Sequence, residues 1–241
     1  MTTSLERASR RGSATDNAYQ HIKHLILVNE LAPGAELREA ALTESTGFGR
    51  SPVREALRRL VQEGFVEVRP RQGYRVSVVT IDGVRDLFEL RLLLEPAAVE
   101  LAALRAPYDE LTELGTLART TYIPGQAGGY EAFLKAGRDF HVRIAMATGN
   151  ERLAGTLEVL LDEMQRLFFL SLDDPASASN MTREHRALYD ALLARDASRA
   201  RRIVVDQIEA GRGRVLGRLA AGESEQSEEP GGSRGDGPLG A

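Results

Sequence analysis

Residues 47–76, GFGRSPVREALRRLVQEGFVEVRPRQGYRV, constrain the fold more than any other stretch of the chain. The pattern predicts a turn, a basic amphipathic helix and two short strands. Ser51 is placed to cap the helix, and Pro52 suits the first helical position, where no N–H is needed. Val53, Ala56, Leu57 and Leu60 recur at spacings of three and four and form one apolar face. Arg50, Arg54, Arg58 and Arg59 fall at the start and sides of the same helix, and Gly64 ends it. Phe65–Arg69 is rich in strand-forming residues, Tyr74–Val78 alternates with period two, and a turn is expected at Gln72-Gly73. An arginine-led helix followed by a basic hairpin is the layout of a winged helix-turn-helix that reads DNA.

Charge supports that reading locally rather than globally. The 241 residues carry a net charge of −4, yet residues 1–80 hold 12 Lys/Arg against 9 Asp/Glu. Between Arg50 and Arg75 the local balance is +4, and polyanion binding depends on such patches. Cysteine is absent, which excludes disulfides, thiolate metal sites and cysteine nucleophiles. No run of eighteen apolar residues occurs and the N-terminus lacks a secretory apolar region, so a cytoplasmic location is expected. Only Lys23 and Lys135 are lysines, a bias given no functional weight.

The rest of the chain divides around this stretch. Residues 1–13 are polar and expected to be disordered. A first helix is predicted over 16–29, capped by Asp16, with Ala18, Ile22, Leu25 and Ile26 inward, and a second over 38–46. With the hairpin they make a DNA-binding domain over 14–80. From residue 81 the pattern is helical: 82–105 with Pro96 bending or dividing it, then 109–121, 130–148, 151–172, 180–194 and 197–220. A glycine-rich loop at 124–129 and a turn at 173–175 punctuate them. Residues 81–220 thus read as an antiparallel helical bundle, and 221–241 as a disordered tail. The fold class is mainly α: a winged helix-turn-helix of three helices and a hairpin, followed by an all-α bundle.

PGAELREAALTESTGFGRSPVREALRRLVQEGFVEVRPRQGYRV closely resembles the DNA-binding domain of GntR-family bacterial transcription regulators. LFELRLLLEPAAVELAA, RDFHVRIAMATGN and EHRALYDALLARDASRARRIVVDQI resemble the FCD (FadR-type C-terminal) branch. The resemblance covers about residues 17–219. It implies a homodimer on a palindromic double-stranded DNA operator, more a repressor than an activator, modulated by a small carboxylate or sugar acid. By position, Arg50 and Arg54 match the recognition-helix arginines, whose planar forks suit the O6/N7 edge of guanine. Ser51 matches a hydroxyl near a phosphate, and Gly73 the wing-tip glycine whose backbone approaches the minor groove. Arg58, Arg59, Arg38 and Arg71 complete the expected DNA-facing set. Gly49 stands where Ser or Thr is usual, and Ala40 where some members carry arginine.

The same resemblance carries a divalent metal (Zn or Ni) held by one aspartate and three histidines. His141 and His185 match two of these positions, but Gly137 and Gln207 occupy the other two. Asp139 is turned about 200° along the helix from Gly137's face, away from His141. Two imidazoles and an amide hold such ions poorly. The alternative is a metal-free pocket in which His141, His185 and Gln207 bond the effector directly. Arg91 matches an arginine near the cavity, and a buried arginine needs an anionic partner, either a ligand or Glu95. Asn150 is expected to finish the preceding helix; His21 and His24 are expected to be solvated. No nucleophile motif, phosphate loop or paired carboxylates support catalysis. A metal-dependent enzyme on the bundle is the alternative to a non-enzymatic regulator.

Overall fold

A computed structural model describes residues 14–122, 128–171 and 175–227. The expected disorder of residues 1–13, most of the tail, most of the loop at 124–129 and Asp173-Asp174 lie outside those residues. The chain runs α1 (Ala14–Leu27), β1 (Glu36–Leu37), α2 (Glu39–Thr46), α3 (Arg50–Gln62), β2 (Val66–Arg69) and β3 (Gly73–Val76). It continues through α4 (Ile81–Arg105), α5 (Tyr108–Ala118), α6 (Gly129–Met146), α7 (Glu151–Ser171), α8 (Pro175–Leu193) and α9 (Ala197–Ser227). The architecture is a winged helix-turn-helix followed by a helical bundle.

The apolar stripe of α3 does what its spacing requires. Val53, Ala56, Leu57 and Leu60 are fully buried against Ala18, Ile22 and Ile26 of α1, with Phe65 and Val76 closing the core. Ser51 does not cap the helix. Gly49 is the N-cap and offers no side-chain bond, while Arg50 opens the first turn. Pro52 is still tolerated there, because first-turn N–H groups have no intrahelical acceptor. Asp16 lies inside the first turn of α1 rather than ahead of it.

The sheet is antiparallel in the order β1-β3-β2, with Leu37 and Val68 both opposite Tyr74. Strand β1, two residues long, is absent from the sequence reading; no alternation can be detected over Glu36-Leu37. The hairpin turn falls at Pro70–Gln72 instead of Gln72-Gly73, and Gly73 is already the first residue of β3.

Thr80 caps α4 by accepting from the Gly83 N–H at 3.1 Å. Pro96 does not divide this helix, which runs unbroken for 25 residues. Glu95, Pro96, Ala98 and Val99 are all buried, so packing holds the helix through the missing N–H. Helix α4 packs along α9, and α6 along α7, around a core that includes Phe88, Phe140, Leu157 and Met164. Asn150 does not finish α6; its Oδ1 accepts from the Leu153 N–H at 3.2 Å and starts α7. Helix α9 continues to Ser227, past the expected end near residue 220.

Candidate nucleic-acid interface and buried polar cavity

Because one face of α3 is consumed by the core, its arginines emerge on the other. Arg50, Ser51, Arg54 and Arg58 are exposed along that face. Arg54 is held by Glu39 of α2, with Nη2 donating at 2.8 Å and Nε shared between both carboxylate oxygens at 3.1 Å. These bonds lower the Glu39 pKa, chiefly through Arg54. The fork is therefore oriented before any partner arrives, in an exposed pair that water and salt weaken. Arg58 makes a looser contact to Glu55 at 3.3 Å, and Arg38 stands exposed 3.8 Å from Glu36.

Arg59 does not belong to this face. Its guanidinium lies 3.8 Å from the centre of the Tyr19 ring and donates to Asp16 at 2.9 Å. The helical turn places it toward α1 and the bundle.

At the wing, Arg71 sits exposed at the turn with φ of 66°. Gly73 has φ of 101°, and an added Cβ would stand 2.8 Å from the Leu37 carbonyl oxygen. Glycine is required here by the fold itself: β1 lies where a side chain would go.

The bundle encloses a small cavity of about 40 Å³, lined by Arg91, Arg138, His141 and His185 with Leu134 and Phe168 among its apolar walls. His141 Nε2 and His185 Nε2 approach to 3.3 Å. His141 Nδ1 lies 3.3 Å from Glu95 Oε2, and Glu95 Oε1 accepts from Arg91 Nε at 2.5 Å. The order is thus arginine, carboxylate, imidazole, imidazole. Arg91 and Glu95 are buried, and Arg91 Nη1 has no hydrogen-bond partner among the described residues.

Gln207 is buried too, with both amide atoms unpartnered among the described residues, but it does not line this cavity. The structure brings His141, His185 and Arg91 together around the cavity. Burial opposes ionisation of Glu95, yet the Arg91 guanidinium and His141 outweigh it and hold its pKa down to about 2. Burial, then the neighbouring His141, pushes His185 down to about 3, so its ring is neutral near pH 7.

Both domains match known protein families. The model of the bacterial regulatory proteins of the gntR family matches residues 14–76, and that of the FCD domain matches residues 86–210. The chain is 34% identical over 201 residues to an HTH-type transcriptional regulator from an unstable DNA locus of Streptomyces ambofaciens, covering 79% of this chain and 83% of that one.

The chain is a GntR-family transcription regulator with an FCD domain.

A further relative is the HTH-type transcriptional repressor GlaR of Escherichia coli, 29% identical over 76% of this chain and 87% of its own. Among solved structures, E. coli McbR/YncC superposes with a TM-score of 0.71 at 25% identity, over 90% of this chain and all of that one. Membership in the family makes this a DNA-binding regulator.

The FCD metal does not fit this chain. Gly137 supplies no donor, and the space beside it is taken by the His185 ring: an added Cβ would stand 3.1 Å from Cε1. Asp139, as expected, faces away, bonded to Lys135 at 2.5 Å and to Arg138 at 3.1 Å. Among the described residues no group of three or more His, Asp or Glu side chains could hold an ion. Two imidazoles fall short of the three or four donors such sites use.

Sequence reasoning missed Arg138, Asp162 and Lys23, which join the two domains. Lys23 left a trace: it lies among Tyr19, Ile22 and Ile26 on the buried face of α1, where a lysine demands partners. His24 is not simply solvated, since its Nδ1 stands 3.4 Å from Glu131 of α6, and His21 packs edge-on to Phe48. No helix among the described residues is long and apolar enough to cross a membrane.

Proposed function

We propose that this GntR regulator binds a palindromic operator as a homodimer, acts as a repressor, and is modulated by a small metabolite carrying a carboxylate, such as a sugar acid. The observation that carries the ligand class is the buried Arg91 Nη1. It is a charged donor at the cavity wall with no acceptor among the described residues, and an unmet buried donor is costly. A carboxylate oxygen would satisfy it, while neutral His185 can donate a second bond. About 40 Å³ admits little more than the polar group itself, so a larger effector displaces the side chains of Met181, Met164 or Phe168. Arg50 and Arg54 meet the major groove, with Ser51, Arg58, Arg38 and Arg71 on the adjoining phosphate backbone.

The test has two arms. Fluorescence anisotropy against two-fold symmetric duplexes selected from random DNA should give a complex of two chains per site with a steep salt slope. A thermal-shift panel of small carboxylates and sugar acids should raise the melting temperature, and Arg91→Ala should abolish the shift. A one-chain complex would overturn the dimer. Equal shifts in wild type and Arg91→Ala would overturn the carboxylate reading.

A further inference from the structure

We propose that Asp162 is a switching carboxylate that connects the cavity wall to the recognition helix, through Arg138 on one side and Lys23 on the other. This rests on reading the cavity as the effector site, and it names the path by which occupancy reaches the DNA-binding domain.

The path is built from charge-assisted bonds. Asp162 Oδ2 accepts from Lys23 Nζ at 2.6 Å, and Asp162 Oδ1 accepts from Arg138 Nε at 2.8 Å. One carboxylate of α7 is thus shared by a cation from each domain. Lys23 also donates to Glu63 at 2.7 Å and to Tyr19 at 2.8 Å, which uses all three of its N–H groups. Glu63 is the C-cap of α3, the helix that carries Arg50 and Arg54. On the other side, Arg138 and Gln165 line both the small cavity and a cleft of about 470 Å³ between the domains. Of these two shared wall residues, Arg138 is the charged one.

Lys23 and Asp162 are each over nine-tenths buried, so their pairing is weakly screened and responds to nearby charge. An anion in the cavity draws on the Arg138 guanidinium. Asp162 then has one cation fewer to satisfy, and its hold on Lys23 tightens. Such a shared carboxylate can bias one domain by what happens in the other. Glu100 of α4, which takes Arg201 Nη1 at 3.0 Å, serves as an internal control, a pair that includes none of Arg138, Asp162 and Lys23.

Amide hydrogen exchange on the full-length chain tests the relay without knowledge of the ligand. Asp162→Asn should speed exchange in α1 by about tenfold, while Glu100→Gln leaves it unchanged. Formate, a carboxylate small enough for a cavity of about 40 Å³, serves as the anionic probe. It should change α1 exchange severalfold in the presence of Asp162 and have no effect in the Asp162→Asn background. Unchanged exchange in Asp162→Asn, or an equal formate effect in both backgrounds, overturns the relay. Should Asp162→Asn lose its cooperative melt, Lys23→Met takes its place with the same expectations. Operator binding is followed in parallel. Its absence in wild type overturns the ligand-responsive reading, whereas intact binding with unresponsive exchange overturns the relay alone.

Discussion

Arg54 on α3 and Arg91 on α4 each meet a glutamate, at 2.8 and 2.5 Å, but the two pairs live in different solvents. The side chains of Arg54 and Glu39 are 52% and 27% exposed; those of Arg91 and Glu95 are 6% and 3% exposed. An exposed pair is cheap to break, so Arg54 can trade its carboxylate for a base edge or a phosphate. A buried pair cannot be traded without leaving a charge in a poorly polarisable interior. The DNA face is therefore exchangeable and the cavity wired, with one residue type serving both through burial alone.

The largest effect should come from breaking the wired side. Glu95→Ala leaves Arg91 buried and uncompensated, and urea unfolding should show a loss of about 3–5 kcal/mol. A loss no greater than that of an ordinary surface substitution would collapse the contrast between the two pairs.

Acid should act on the same side. His185 is held down to about 3 in the fold against an ordinary 6.5. Between those values the unfolded chain binds the extra proton, so stability falls as pH falls from 6.5 toward 3. Glu95, held to about 2 against 4.5, adds a further loss below pH 4.5, again because the unfolded form protonates first. Denaturant midpoints measured from pH 7.5 to 4.5 should slope downward in wild type, and the slope should be shallower in His185→Phe. An unchanged slope in that variant would show that His185 is not the group responsible.

A smaller effect is expected at the wing. Gly73→Ala places a Cβ 2.8 Å from the Leu37 carbonyl at φ of 101° and should cost about 1–3 kcal/mol in thermal melts. A neutral result there would mean that glycine serves only DNA approach.

Arg54→Ala should leave the melting temperature unchanged while operator affinity drops by about tenfold or more. A fall in stability with DNA binding intact would reverse the assignment of exchangeable and wired faces.

The DNA-reading half was legible in the sequence because its signals are local. Helix α3, its apolar stripe and its outward arginines follow from spacing within thirteen residues. The hairpin follows from composition and a turn. What was misplaced there depended on neighbours. The two-residue β1 exists only because β3 offers an edge, and Arg59 leaves the DNA face because Tyr19 and Asp16 lie beside it. In the bundle, the resemblance pointed to Arg91, His141 and His185, and the pairing of Arg91 with Glu95 follows helical spacing. The His141–His185 contact spans 44 residues and the Lys23–Asp162 bond 139, and no periodicity encodes such meetings.

By itself the sequence determined the helices, the hairpin, the order of winged helix-turn-helix and bundle, the family and the outward arginines of α3, because backbone preference and burial pattern act over a few residues. Tertiary structure alone decided that Gln207 is not among the residues lining the cavity, that Gly137 makes room for an imidazole, and that one carboxylate joins the domains. Those outcomes depend on which side chains share a low-dielectric interior, and only packing fixes that.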